Sequence, residues 1–122
     1  MGKPARDKGQ RGERELSKAL KALGFSGSRR GRQYSGSQDS PDVVGIPGLH
    51  IECKRVEALQ VHAAMAQSCA DAGMNVPVVC SRRNGEPWLL HLRLDDLPAL
   101  MLLCRLALPQ EHPCNAGGNG NG

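Results

Sequence analysis

The chain has 122 residues and a formal net charge of +4, with 16 Lys and Arg against 12 Asp and Glu. This length suits one domain, and an apolar content of 39% suffices for a modest core. The longest nearly uninterrupted apolar run, Leu97–Leu108, contains Arg105 and is shorter than the ~20 residues of a membrane span. The five cysteines form no C-x-x-C pair and no apolar segment follows the charged N-terminus, so we expect a reduced, cytoplasmic protein without membrane contact.

Basic residues are concentrated near the N-terminus. Residues 1–34 hold ten Lys and Arg but only three Asp and Glu. A basic region of this kind gains binding free energy on a polyanion, because each neutralised phosphate releases condensed counterions. The charge therefore favours a nucleic-acid partner, and the alternative is a solvated arm that only keeps the protein soluble.

The first third of the chain predicts a disordered arm, a helix and a strand. Residues 1–9 are small, basic and without periodicity, which is typical of a disordered arm. Apolar residues repeat at helical spacing over about Gly12–Leu23, and Gly24 stands where a glycine ends a helix. Arg29–Ser35 is a candidate strand, and a loop rich in Ser and Gly leads from it to Pro41.

The remainder predicts two hairpins, each followed by a helix. The hairpins turn at Pro47-Gly48 and at Asn84-Gly85, dipeptides that favour tight turns. The predicted elements are strands Asp42–Ile46 and Leu49–Lys54, helix Ala58–Ala72, strands Val76–Cys80 and Trp88–Leu94, and helix Leu97–Leu106. We therefore expect an α/β domain over residues 10–108, with a mixed sheet in the order α-β-β-β-α-β-β-α. The Gly- and Asn-rich tail, residues 109–122, is predicted to be disordered.

Charged residues that can do chemistry lie on the first hairpin. Because side chains alternate along a strand, His50, Glu52 and Lys54 share one face, and Asp42 opens the partner strand. Two carboxylates beside a lysine suit a hard divalent cation, which binds carboxylate oxygen, phosphate and water. The alternative is a surface Glu–Lys pair that stabilises the fold by less than ~1 kcal/mol. We expect the hairpin to be covered on one face, since its apolar positions are Val43–Ile46 and the alternate residues of the second strand.

An acid on the first helix extends this group. Glu13 lies three residues before Leu16 and seven before Leu20, so it shares the face that the helix buries. A buried carboxylate needs a partner, which a metal or a lysine of the sheet would supply. The alternative is an acid of the first turn that the helix dipole favours. Glu15 lies off the apolar stripe and is predicted to be solvated.

These residues together resemble a known enzyme family. Pro41-Asp42, nine further residues and then Glu52-Cys53-Lys54 resemble the PD-(D/E)xK motif of metal-dependent nucleases. The helix opening Gly12-Glu13-Arg14-Glu15-Leu16, followed by several arginines, is similar to that of archaeal Holliday-junction resolvases and related small phage-type nucleases. The resemblance covers about residues 9–73 and implies a restriction-endonuclease-like fold.

The resemblance also implies roles for individual residues. Asp42 and Glu52 would bind Mg²⁺ or Mn²⁺ together with the backbone carbonyl of Cys53, and Lys54 would serve the attacking water. Glu13 would be an additional or outer-shell ligand, and Gln67 would orient Lys54. Arg14, Arg29 and Arg30 would hold phosphates. Apart from the resemblance, we expect Arg11 and Arg32 to join them in reading the shape of the DNA through its phosphates. Backbone amides of the loop containing Ser37 could also bind a phosphate, and the alternative is a loop that is only flexible.

The implied function is an endonuclease selective for branched DNA such as Holliday junctions. Coordinated cutting of two strands needs two active sites, so we expect a symmetric homodimer. The segment Val76–Leu94 is more similar to the phage-type proteins than to the archaeal ones, which leaves open a nickase or flap nuclease without junction preference. A third interpretation is a non-catalytic basic DNA-binding module.

Overall fold

The computed structural model describes residues 3–31 and 41–109, with side chains from residue 9 onward. Five strands form one sheet, and helices pack against it. The elements are α1 (Lys3–Ala22), β1 (Arg29–Arg30), β2 (Val43–Val44), β3 (Leu49–Arg55), α2 (Val61–Ala72), β4 (Val76–Arg82), β5 (Leu89–Leu92) and α3 (Leu97–Ala107), with a 3₁₀ turn at Leu94–Asp96. The predicted element order and α/β class are confirmed.

The sheet is mixed, with strand order β1-β2-β3-β4-β5. Strands β3 and β4 are parallel and pair over seven positions, from Leu49 with Val76 to Arg55 with Arg82, and α2 connects them. All other neighbours are antiparallel. Both predicted hairpins are therefore present, on either side of a parallel centre, as in a restriction-endonuclease-like fold.

Helices cover both faces of the central strands. Helices α1 and α3 pack on the face that carries Ile51 and Val78, where the main apolar core lies. On the other face, α2 packs through Ala64, Ser68 and Ala72, and the Ser68 hydroxyl donates to the Val78 carbonyl at 3.2 Å. The expectation of a hairpin covered on one face is therefore wrong. A parallel pair linked by a helical crossover is normally covered on both faces.

Helix α1 begins at Lys3, whereas the sequence predicted a disordered arm over residues 1–9 and a helix from about Gly12. Lys, Ala, Arg and Gln are good helix formers, so this basic stretch can extend a helix that the core already holds. The helix ends as predicted. The amides of Gly24 and Phe25 donate to the carbonyls of Lys21 and Leu20, and Gly24 has φ of +113°.

Strand β2 is shorter than predicted, since it ends before Gly45, which has φ of +111°. The predicted strand from Arg29 to Ser35 is present as Arg29–Arg30, and its continuation from residue 32 lies outside the described residues. Arg32, Ser37 and the tail beyond residue 109 also lie outside them. Within the described ranges, none of the helices combines the length and apolar character that crossing a membrane requires.

Candidate active site

Strand register brings Asp42 beside the middle of β3. Val43 pairs with Ile51, so the residue before β2 lies next to Glu52 and Cys53. The Asp42 amide donates to the Ile51 carbonyl at 2.8 Å, and the Cys53 amide donates to Asp42 Oδ2 at 2.8 Å. Two backbone hydrogen bonds thus fix both the main chain and the carboxyl group of Asp42 at this point of the sheet.

The carboxyl groups of Asp42 and Glu52 are in direct contact. Glu52 is only 4% exposed and shares a side-chain hydrogen bond with Asp42. Burial, with the charge and hydrogen bond of Asp42, raises the pKa of Glu52 to about 8, although Lys54 opposes this shift. The pair therefore retains a proton at neutral pH. Paired carboxylate oxygens are also the donors that Mg²⁺ and Mn²⁺ accept, so a cation could take the place of that proton.

Lys54 follows Glu52 by two residues on β3, so the two side chains lie on the same face of the strand. Its Nζ donates to Gln67 Oε1 at 3.4 Å, and Gln67 comes from α2. The structure therefore brings together Glu52, Lys54 and Gln67, as the resemblance implied. An amide that holds a lysine amine beside two carboxyl groups can direct that amine toward a bound water.

Glu13 approaches from α1, and its hydrogen-bond partner is an arginine. Its Oε1 accepts a hydrogen bond from Arg30 Nε at 3.0 Å, and its side chain is 16% exposed. Burial and the negative charge of Asp42 raise the pKa of Glu13, and Arg30 lowers it. The register of β1 and β2 places Arg30 beside Val43, within reach of Glu13. An arginine therefore takes the place of the expected lysine, and a metal at Glu13 stays a prediction.

The chain matches a known protein family over most of its length. Residues 4–96 match the archaeal Holliday junction resolvase family (Hjc). The chain belongs to this family. No curated protein and no solved structure matches the chain. Membership confirms the resemblance to PD-(D/E)xK nucleases and implies a nuclease of the Holliday junction resolvase type, in a family whose members depend on a divalent metal.

The basic side chains of this Hjc family member lie mostly on the surface. Arg11, Arg14 and Arg29 are exposed, and Arg29 also donates to the Gly27 carbonyl at 3.1 Å. Arg30 is partly exposed while it is bound to Glu13. These positions leave the guanidinium groups accessible to a polyanion, and their phosphate-binding roles stay predictions.

The expectation that Glu15 is solvated is wrong. Its Oε1 accepts hydrogen bonds from Arg55 Nε at 3.0 Å and from Arg82 at 3.3 Å. Arg55 and Arg82 are paired residues of β3 and β4, so two positive charges lie side by side facing α1. Glu15 offsets both charges and ties α1 to the central strand pair.

The sequence analysis placed His50 on the face of Glu52 without assigning it a role, and it did not single out Asp71. His50 is 2% exposed, and its Nε2 lies 2.8 Å from Glu52 Oε2. Ligand atoms of His50, Glu52 and Asp71 all lie within 4.8 Å of one another, so this group could hold a metal ion. A signal for Asp71 exists, because it follows Gln67 by four residues and shares its helix face. That signal becomes informative only once α2 is known to cover this face of β3.

Proposed function

We propose that the chain is a metal-dependent endonuclease that hydrolyses DNA phosphodiester bonds at branch points such as four-way junctions. One observation carries the proposal: the carboxyl groups of Asp42 and Glu52 converge beside Lys54 in a chain of the Hjc family. A protein that only binds DNA gains nothing from buried acids next to a phosphate, since they repel it. This favours an enzyme over a non-catalytic DNA-binding module.

Asp42, Glu52 and the backbone carbonyl of Cys53 would hold Mg²⁺ or Mn²⁺. The donor set fits, because it offers oxygen atoms that are already fixed by backbone hydrogen bonds and by burial. When bound, the cation polarises the phosphodiester and lowers the pKa of a coordinated water.

The remaining residues act on the water and on the phosphate. Lys54, held by Gln67, orients the attacking water, and its charge stabilises the negative charge that develops on the phosphate. Glu13 positions Arg30 near Asp42, where the guanidinium can contact the scissile strand. Exposed arginines elsewhere hold flanking phosphates and read the shape of the DNA, and they do not read base sequence.

Paired cutting of a junction requires a homodimer, and the outer face of α3 is a suitable interface. This helix contacts the core through Leu100 and Leu103. Its outer face, defined here as Leu97, Met101, Leu102 and Leu106, has exposures between 40% and 72%. Several large apolar side chains exposed on one short helix are typical of an interaction surface. A second copy packed there would place two active sites symmetrically.

A cleavage assay tests the proposal. A labelled four-way junction, a flap, a single strand and a plain duplex are each incubated with the protein in Mg²⁺, Mn²⁺ or EDTA. The comparison includes Glu52→Gln and, as a matched control, the exposed acid variant Glu86→Gln. We expect paired symmetric nicks in the junction only with metal, at least about a 100-fold loss in Glu52→Gln, and full activity in Glu86→Gln.

Two results would contradict parts of the proposal. Cleavage in EDTA, or by Glu52→Gln, would exclude the metal-dependent mechanism. Equal cutting of plain duplex, or flap cutting without junction cutting, would favour the phage-type nickase or flap nuclease.

A further inference from the structure

A second group of ligand atoms lies on the α2 side of Glu52. It consists of one imidazole and two carboxyl groups, from His50, Glu52 and Asp71, whose ligand atoms lie within 4.8 Å of one another. His50 and Glu52 are almost completely buried, at 2% and 4% exposure, and Asp71 is partly buried. Groups at this separation can all reach one ion with small side-chain movements, and the burial excludes most of the water that would otherwise compete for it.

This group is separate from the Asp42 site, although the two share Glu52. Asp42 reaches Glu52 from the start of β2, whereas Asp71 belongs to α2, which packs over β3. Glu52 therefore stands between two sets of ligands, one that contains only oxygen and one that includes nitrogen.

We propose that His50, Glu52 and Asp71 form a second cation site, which takes a transition metal such as Mn²⁺ or Zn²⁺ in preference to Mg²⁺. The imidazole decides the preference, because histidine suits transition metals while Mg²⁺ is bound almost entirely through oxygen. The inference rests on the proposed function only through the shared Glu52, and it adds a ligand set outside the PD-(D/E)xK motif. A metal held here would fix the orientation of Glu52 toward Asp42.

The test uses Mn²⁺ as the probe, on full-length protein stripped of metal and without DNA. Electron paramagnetic resonance titration gives the number of bound ions, and spin-echo modulation from ¹⁴N reports a histidine ligand. We expect the wild type to bind two Mn²⁺ per chain and to show ¹⁴N modulation. An excess of Mg²⁺ should not remove this modulation, because Mg²⁺ should not displace the ion bound to histidine. The modulation should disappear in His50→Gln and persist in Asp42→Asn. It should also persist in His62→Gln, the matched control, because His62 is an exposed histidine of α2.

Asp71→Asn provides a second test that does not depend on a buried position. This residue is partly exposed near the end of α2, and we expect its variant to keep its circular dichroism spectrum and to lose about tenfold or more in affinity for the nitrogen-ligated ion. One Mn²⁺ per chain without nitrogen modulation, or modulation that survives in His50→Gln, would overturn the proposal and leave His50 as a hydrogen-bond partner of Glu52. Junction cleavage in Mg²⁺ is measured separately, so the failure of this site and the failure of the proposed function can be distinguished.

Discussion

Glu52 is buried against Asp42, and the raised pKa of its carboxyl group makes the stability of the protein depend on pH. Its pKa is about 8 in the folded, metal-free protein, against an ordinary value of 4.5. Because the folded state binds the proton more tightly, this group's contribution to stability is complete below about pH 4.5 and is lost as the pH rises through 8. We expect the metal-free protein to unfold at lower temperature at pH 9 than at pH 6.

Thermal unfolding of Glu52→Gln provides the control for this prediction. An amide does not titrate, so the variant should lose most of the pH dependence between pH 5 and 9. Added Mn²⁺ should raise the melting temperature of the wild type more at pH 8.5 than at pH 6, because the cation and the proton compete for the same carboxyl group. A wild-type melting temperature that stays constant between pH 6 and 9 would contradict this assignment of the proton.

The contact between Lys54 and Gln67 predicts how substitutions at these two residues affect the cleavage rate. Removing a group that orients and activates the attacking water costs about 10²–10⁴ in rate, so Lys54→Ala should lose at least about 100-fold in single-turnover cleavage. Gln67→Ala should lose less, since it acts through Lys54. Junction affinity in EDTA should stay unchanged in both, and Gln60→Ala, an exposed glutamine at the start of α2, serves as the control. An equal loss of rate in Gln60→Ala would show that the effect comes from the helix and not from the Lys54 contact.

The sequence located the residues of β3 and its hairpin partner but not the contacts made across the fold. Asp42, Glu52 and Lys54 could be placed together because strand alternation and a short turn determine their positions. The partners of Glu13 and Glu15 could not, since they lie 17, 40 and 67 residues away. Such ion pairs depend on which helix covers which face of the sheet, and no local pattern in the chain specifies that.

Strand β2 ends where the loop after it, at Gly45, approaches the loop after α1, at Gly27. A Cβ at Gly45 would collide with the carbonyl oxygen of Gly27, and the backbone there has φ of +111°. We expect Gly45→Ala to destabilise the protein by about 2–4 kcal/mol, because strain and a backbone clash add together. Gly85→Ala is the control: its φ is +75° but nothing lies within 4 Å, so it should cost about 1 kcal/mol.

Urea unfolding of the two glycine variants measures this difference. Equal destabilisation would mean that the approach of Gly27 to Gly45 has no energetic consequence. The same contact explains why the sequence predicted too long a strand. Val43, Val44 and Ile46 favour extended structure by composition, but Gly45 interrupts it, and only the position of the loop after α1 reveals why.

The whole molecule carries its positive charge unevenly, which predicts how DNA binding responds to salt. Arg11 and Arg14 are exposed on α1, whereas Arg93 is exposed but paired with Asp96 at 2.8 Å. Each phosphate contact contributes about 0.9 to the slope of log K against log salt. Arg11→Ala and Arg14→Ala should each reduce that slope by about 1, and Arg93→Ala should leave it unchanged. Unchanged slopes in both α1 variants would exclude this helix from the DNA interface.

The exposed apolar side chains of α3 predict where two copies of the chain associate. Met101→Glu places a charge in the outer face of α3 and should convert a dimer to a monomer in light scattering, with loss of paired nicks. Met74→Glu is the matched control, since Met74 is fully exposed on the turn after α2. If Met101→Glu remains dimeric, the interface lies elsewhere on the molecule.

The parallel pairing of β3 with β4 has a consequence for the order of folding. Paired residues of these strands, such as Arg55 and Arg82, are separated by 27 positions, whereas the hairpin contact of Ser81 with His91 spans 10. Closing the longer loop costs more chain entropy, and non-local pairing of this kind slows folding. The two hairpins can therefore form early, each from its own local sequence. Because α2 packs over β3, we expect Glu52 to become enclosed only when the crossover through α2 closes, so that the proposed catalytic centre is completed late in folding.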